Sequence, residues 1–144
     1  LRLCEKQAKA LILTCTIIIF LLINLPAQAA EITEVKVSLG TTEGELIFVP
    51  NNLEFEAGKK YKLVLDNPSP TKHYFTAKDF ADASWTQKVE AGKAEVKGAI
   101  HEIELKPTGK AEWVLIPEKQ GTFDLYCSIS GHKEAGMIGK IAIK

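Results

Sequence analysis

The chain has 144 residues, 18 basic and 18 acidic side chains and so a formal net charge of zero, with 46% hydrophobic residues. That length fits one domain. No block of basic residues, internal repeat or low-complexity tract interrupts it, which argues against a nucleic-acid partner.

The first 29 residues do not belong to the domain. Arg2, Lys6 and Lys9 make a basic start, Ala10 to Ile23 is a 14-residue apolar stretch, and Pro26-Ala27-Gln28-Ala29-Ala30 supplies small residues. This is the pattern of a secretory signal peptide, residues 1–29, with Ala27 and Ala29 as the recognition pair. An uncleaved anchor is the competing reading, but a spanning helix requires about 20 apolar residues. Cys15 lies inside the apolar run without the flanks of a lipidated cysteine. An exported domain of residues 30–144 would carry 15 Lys, no Arg and 17 acidic residues, a net charge of −2. Cys127 is then its one cysteine, so an intrachain disulfide is impossible. An unpaired thiol in an oxidising compartment is a liability unless something, such as a metal, occupies it.

From Glu31 on, apolar residues recur in short alternating runs divided by turn residues, the pattern of an all-β chain. Val35, Val37 and Leu39 alternate with Lys36 and Ser38 up to Gly40; Leu46 to Val49 is a second run, stopped by Pro50-Asn51-Asn52. Leu53 and Phe55 form a third, and Tyr61, Leu63 and Leu65 a fourth, ended by Asp66-Asn67-Pro68-Ser69-Pro70. A short His73-Tyr74-Phe75 element follows. Residues 76–98 fit least well: Lys78 to Trp85 reads as a helical turn or two carrying Phe80 and Trp85 inward, with a short strand at Trp85 to Val89. Ile100 to Leu105, Ala111 to Ile116, Phe123 to Cys127 and Ile138 to Ile143 complete the set. Eight or so strands at this spacing predict a Greek-key β-sandwich with a short irregular or helical excursion. Trp85, Trp113 and Phe123 are expected in its core.

The chemistry gathers near the end, in Tyr126-Cys127-Ser128-Ile129-Ser130-Gly131-His132-Lys133-Glu134-Ala135-Gly136-Met137. A thiol, an imidazole and a thioether stand at five-residue intervals on one loop between two strands. Two His and one Cys with a weak axial Met is the blue-copper arrangement. His132 is placed, which leaves His73 and His101 for the second imidazole.

On these residues the chain resembles the cupredoxins, the small blue-copper proteins that include plastocyanin, azurin, auracyanin and rusticyanin. The resemblance covers Val35 to Lys144. It implies one type 1 copper ion held by His73, Cys127, His132 and Met137, on a cupredoxin-like sandwich. The Cys-to-His and His-to-Met spacing is closest to the auracyanin and rusticyanin type, plastocyanins having a shorter Cys-to-His gap. Tyr74 follows His73 where plastocyanins and azurins have an Asn that braces the ligand loop.

Each ligand taken alone has a plainer explanation. A single buried Cys or Met is usually core filler, and His101 alternates with Ile103 and Leu105 on a strand near the site. Zinc also takes Cys and His, but a structural zinc site is closed by four strong ligands, and Met is a poor fourth. With every copper position filled and no nucleophile–base pair in view, an enzyme is not expected. The resemblance implies a soluble, monomeric one-electron carrier in the periplasm or thylakoid lumen. Electrons would pass the exposed edge of His132, and Ile129, Ala135 and Ile138 would dock transient redox partners. Copper storage or delivery outside the cytoplasm is the alternative, and a purely structural or docking domain a third.

Overall fold

The computed structural model describes residues 31–97 and 100–144; the expected leader, with Cys4 and Cys15, lies outside them. In chain order the elements are β1 (Thr33–Leu39), β2 (Phe48–Val49), β3 (Asn52–Phe55), β4 (Tyr61–Asp66), β5 (His73–Thr76), α1 (Lys78–Asp82), β6 (Ser84–Lys97), β7 (Glu102–Pro117), β8 (Gly121–Tyr126) and β9 (Ile138–Ile143). They hydrogen-bond in the order β2-β1-β4-β7-β5-β8-β9-β3, with β6 also on β7.

β7 turns this continuous sheet into two layers. Its Lys110–Leu115 half pairs antiparallel with β4, and its Glu102–Leu105 half pairs with β5. Between them β6 skips register, from Gly92 opposite Lys110 to Ala94 opposite Leu105. The corner residues 106–109 are stitched to the end of β4, where the Thr108 N–H donates to the Asn67 carbonyl and the Asn67 N–H to the Gly109 carbonyl, each at 3.0 Å. Parallel pairs β1 with β4 and β3 with β9 complete a Greek-key sandwich.

Period-two alternation explains which faces meet. Tyr61, Leu63 and Leu65 of β4 are buried while Lys62, Val64 and Asp66 are partly exposed. Aromatic pairs cross the layers: Phe48 meets Phe75 at 6.2 Å and Phe55 meets Tyr61 at 4.9 Å, both nearly perpendicular. Such edge-to-face pairs contribute about 0.5–1.5 kcal/mol beyond area burial. α1 is too short to persist on propensity. Its Phe80 holds it, fully buried against Phe55 at 5.2 Å and Trp113 at 5.7 Å.

Several expectations change. The runs expected at residues 100–105 and 111–116 merge into one 16-residue strand that begins only at Glu102, and the short strand after Trp85 is a 14-residue one. Trp113 is in the core, but Trp85 is 56% exposed and Phe123 only partly buried. β6 runs along one edge of β7, so Trp85 points to solvent instead of between layers. Leu46 and Ile47 precede β2. Ile100 and His101 form a turn, Ile100 with a φ of +58°, so His101 does not share the strand face of Ile103 and Leu105.

Candidate metal centre

The alternation of β8 carries Leu125 and then Cys127 inward as the strand ends. The chain returns at β9 after a loop that its own backbone closes. The Cys127 N–H donates to the Met137 carbonyl (3.1 Å), the Met137 N–H to the His132 carbonyl (2.9 Å), and the His132 N–H to the Ile129 carbonyl (3.0 Å). These bonds fix all three ligand-type residues in one frame. Met137 and Cys127 are completely buried, and His132 is partly exposed.

His73 opens β5 and is completely buried. The donor atoms of His73, Cys127 and His132 all lie within 4.8 Å of one another. Cys127 Sγ is 3.4 Å from His132 Nδ1, and the two imidazole centroids are 5.2 Å apart. His101 is elsewhere: its Nε2 is 3.2 Å from Asp82 Oδ1.

The His73 ring is wedged from behind. Its Nε2 is 3.4 Å from Thr71 Oγ1. A side chain on Gly40, whose φ is +78°, would place its Cβ 2.9 Å from that same Nε2. The opposite ring nitrogen, Nδ1, is buried and has no hydrogen-bond partner. An unsatisfied buried polar atom costs about 1–3 kcal/mol. Nδ1 faces neither solvent nor a protein donor, as a ligand nitrogen does.

The loop leading to His73 is braced by Asn67, which is 1% exposed. Its amide donates to the carbonyls of Thr71 (2.8 Å) and Leu105 (2.9 Å), and its Oδ1 accepts from the Ser69 N–H (2.9 Å). On the thiol side, the Tyr74 N–H donates to Cys127 Sγ at 3.4 Å. The Tyr74 hydroxyl donates to Glu104, directly opposite on β7. Glu102 accepts from Thr76 Oγ1 at 3.0 Å and from the hydroxyl of Ser128, the residue after Cys127.

Burial, seconded by the charge of His132, depresses His73 to about 4, so it is neutral at pH 7. Burial pushes the Cys127 thiol up, the amides of Ile129 and Tyr74 oppose this, and Glu102 adds to the rise. A metal entering here meets a neutral imidazole and displaces a thiol proton. Thiol and imidazole nitrogens with no carboxylate among them suit a borderline or soft transition metal. The donor set and the bare Nδ1 both fit copper.

Of the residues the sequence singles out, the structure brings His73, Cys127 and His132 together. Sequence reasoning missed Gly40, Asn67 and Glu104. Gly40 and Asn67 looked like ordinary strand and turn terminators, and Glu104 like a solvent-facing strand residue; Glu104 is 5% exposed.

Residues 35–144 match the family model described as copper binding proteins, plastocyanin/azurin family. The plastocyanin of Mercurialis perennis is 30% identical over 107 residues, 74% of this chain and 97% of that protein. The chloroplastic plastocyanin of Fritillaria agrestis is 35% identical over 115 residues, 80% of this chain, which spans 63% of that relative's length. Among solved structures, the dithionite-reduced auracyanin of the photosynthetic bacterium Roseiflexus castenholzii superposes with a TM-score of 0.57 at 15% identity, covering 81% of this chain and 99% of that one. That likeness bears on the fold alone, and the fold is a cupredoxin sandwich. With the family match over the whole sandwich and a His–Cys–His cluster at one end of it, the chain belongs to the plastocyanin/azurin family of copper-binding proteins.

Proposed function

We propose that this protein is a soluble one-electron carrier, exported to the periplasm or thylakoid lumen, with one type 1 copper ion held by His73, Cys127, His132 and Met137. Bound there, copper supplies a Cu(I)/Cu(II) couple. The observation that carries the reading is the buried, partnerless Nδ1 of His73 grouped with Cys127 Sγ and His132 in a loop its backbone has already closed. A frame that holds its donors before metal arrives limits rearrangement between oxidation states.

The chain's residues divide the work. Cys127 would provide the thiolate, His73 and His132 neutral imidazoles, and Met137 a weak thioether. Gly40 and Thr71 keep the His73 ring from turning. His132, at the partly exposed end, is the electron's way in and out. Around it Ala135 is exposed and Ile138 is 48% exposed, an apolar rim suited to brief docking. The exposed Lys133 and Glu134 select partners more than they add affinity. The protein acts as a monomer, and likeness to the plastocyanins supports electron carriage over catalysis.

The test is the visible and electron paramagnetic resonance spectrum of the protein loaded with Cu(II). An intense thiolate-to-copper band with narrow hyperfine splitting, lost on reduction and regained on oxidation, is the expected result. Cys127→Ala abolishes that band; Met137→Leu keeps it and raises the reduction potential. A pale, widely split spectrum would overturn the reading and favour copper storage or delivery.

A further inference from the structure

We infer that Tyr74 and Glu104 form a positioning pair that aims the Tyr74 backbone amide at the Cys127 sulfur and thereby sets the electronic state of the copper site. The inference rests on the copper reading for its electronic consequence. It rests on geometry alone for the positioning.

β5 has only four residues, and toward β8 its backbone register is limited to Thr76 opposite Tyr126. Beyond that pair the N–H of Tyr74 meets Cys127 Sγ. A single N–H···S bond at 3.4 Å is weak and holds its geometry only if the donor strand is held by other means. The side chain of the same residue supplies that hold. Tyr74 is 8% exposed, and its hydroxyl donates to Glu104, which is 5% exposed and in register with it. Lys72 Nζ lies 3.5 Å from the Glu104 carboxylate and 5.5 Å above the Tyr74 ring, so the buried charge has a cation and a hydroxyl beside it. A carboxylate this deeply buried is costly unless paired, which commits Tyr74 to one rotamer and its amide to one direction.

The consequence follows from charge. An N–H pointed at the sulfur stabilises negative charge there, and reduction of the copper returns charge to the thiolate. The bond therefore favours the reduced form. Loosening it lowers the potential and moves the thiolate-to-copper band to lower energy.

Three variants test the pair: Tyr74→Phe, Glu104→Ala and Glu104→Gln. In the metal-free protein, amide hydrogen exchange at residue 74 should accelerate by about tenfold in Tyr74→Phe and Glu104→Ala, relative to the amide of Phe75. Glu104→Gln keeps an acceptor for the hydroxyl and should restore most of the protection. In the copper-loaded protein, Tyr74→Phe and Glu104→Ala should red-shift the thiolate band, and the double variant should shift it no further than either single one. Glu104→Gln should leave the band in place. Exchange at residue 74 rising only in step with Phe75, or band shifts that add in the double variant, would overturn the inference. If the parent protein shows no thiolate band, the electron-carrier reading fails, and amide exchange still decides whether the pair positions Tyr74.

Discussion

Replacing Gly40 with Ala tests whether the approach of β1 to the His73 ring is a built feature of the site. Gly40 has a φ of +78°, and a Cβ there would stand 2.9 Å from His73 Nε2, 2.9 Å from Ser69 Cβ and 3.2 Å from the Glu45 carbonyl oxygen. Gly58 has nearly the same backbone, with φ +80°, but a Cβ on it meets nothing within 4 Å. Gly58→Ala therefore measures the left-handed backbone alone, a loss of about 1 kcal/mol. Gly40→Ala adds a steric overlap with the backbone carbonyl, Ser69 and the imidazole, none of which is the free end of a flexible chain. Overpacking of this kind costs about 1–3 kcal/mol more, giving roughly 2–4 kcal/mol in all. Relief comes by pushing the imidazole from its Nε2 side, which displaces Nδ1 from the cluster. Urea unfolding of the metal-free variants, followed by tryptophan fluorescence, gives the two stability losses, and competition with a copper chelator gives relative affinities. Gly40→Ala should lose more stability than Gly58→Ala and bind copper at least about tenfold more weakly, while Gly58→Ala keeps full affinity. Equal losses from the two substitutions, with unchanged copper binding in both, would refute the wedge.

Two further outcomes follow from the same site. Since His73 is held near 4 in the native state and returns to its ordinary value near 6.5 on unfolding, the unfolded chain takes up a proton that the native chain refuses between those values. Stability of the metal-free protein is therefore full above pH 6.5 and falls as pH drops toward 4, by up to about 3 kcal/mol; a urea midpoint flat across that window for the parent but not for His73→Leu would contradict it. Asn67→Ala removes an amide that makes three hydrogen bonds in the buried loop before His73. It should cost about 2–4 kcal/mol in urea unfolding and weaken copper binding, whereas a loss under about 0.5 kcal/mol, the range of an ordinary surface change, would show that the loop does not depend on it.

How much of this was legible depends on whether a feature leaves a mark in hydropathy. β4, with Tyr61, Leu63 and Leu65 inward, is buried on one face, so alternation located it to within a residue. The loop from Cys127 to Met137 stood out for another reason: a Cys, a His and a Met spaced evenly between two strands have few uses together. β6 was largely illegible. It pairs with β7 through backbone bonds, and of Trp85 to Gly92 none is fully buried, so no periodic signal marks it. The same edge placement turned Trp85 outward although its size suggested the core. The one-strand nature of β7 was hidden by Lys106-Pro107-Thr108-Gly109, a turn-like sequence that here makes a corner within a strand.

The supporting residues were hidden because their roles are defined by partners distant in sequence. Tyr74 and Cys127 are 53 positions apart, and the strands that carry them share little backbone pairing. β7 makes up the difference. Glu104 takes the Tyr74 hydroxyl on the His73 side, and Glu102 takes both the Thr76 hydroxyl of β5 and the Ser128 hydroxyl of the loop after Cys127. Two carboxylates, two residues apart on the same face of one strand, thus tie together the segments that bring His73 and Cys127 to a common point. A site assembled on two strand ends alone would move with each of them. Backed by a strand that grips both, its geometry depends on the sandwich as a whole, and that is the property a metal site needs if its two oxidation states are to share one set of ligand positions.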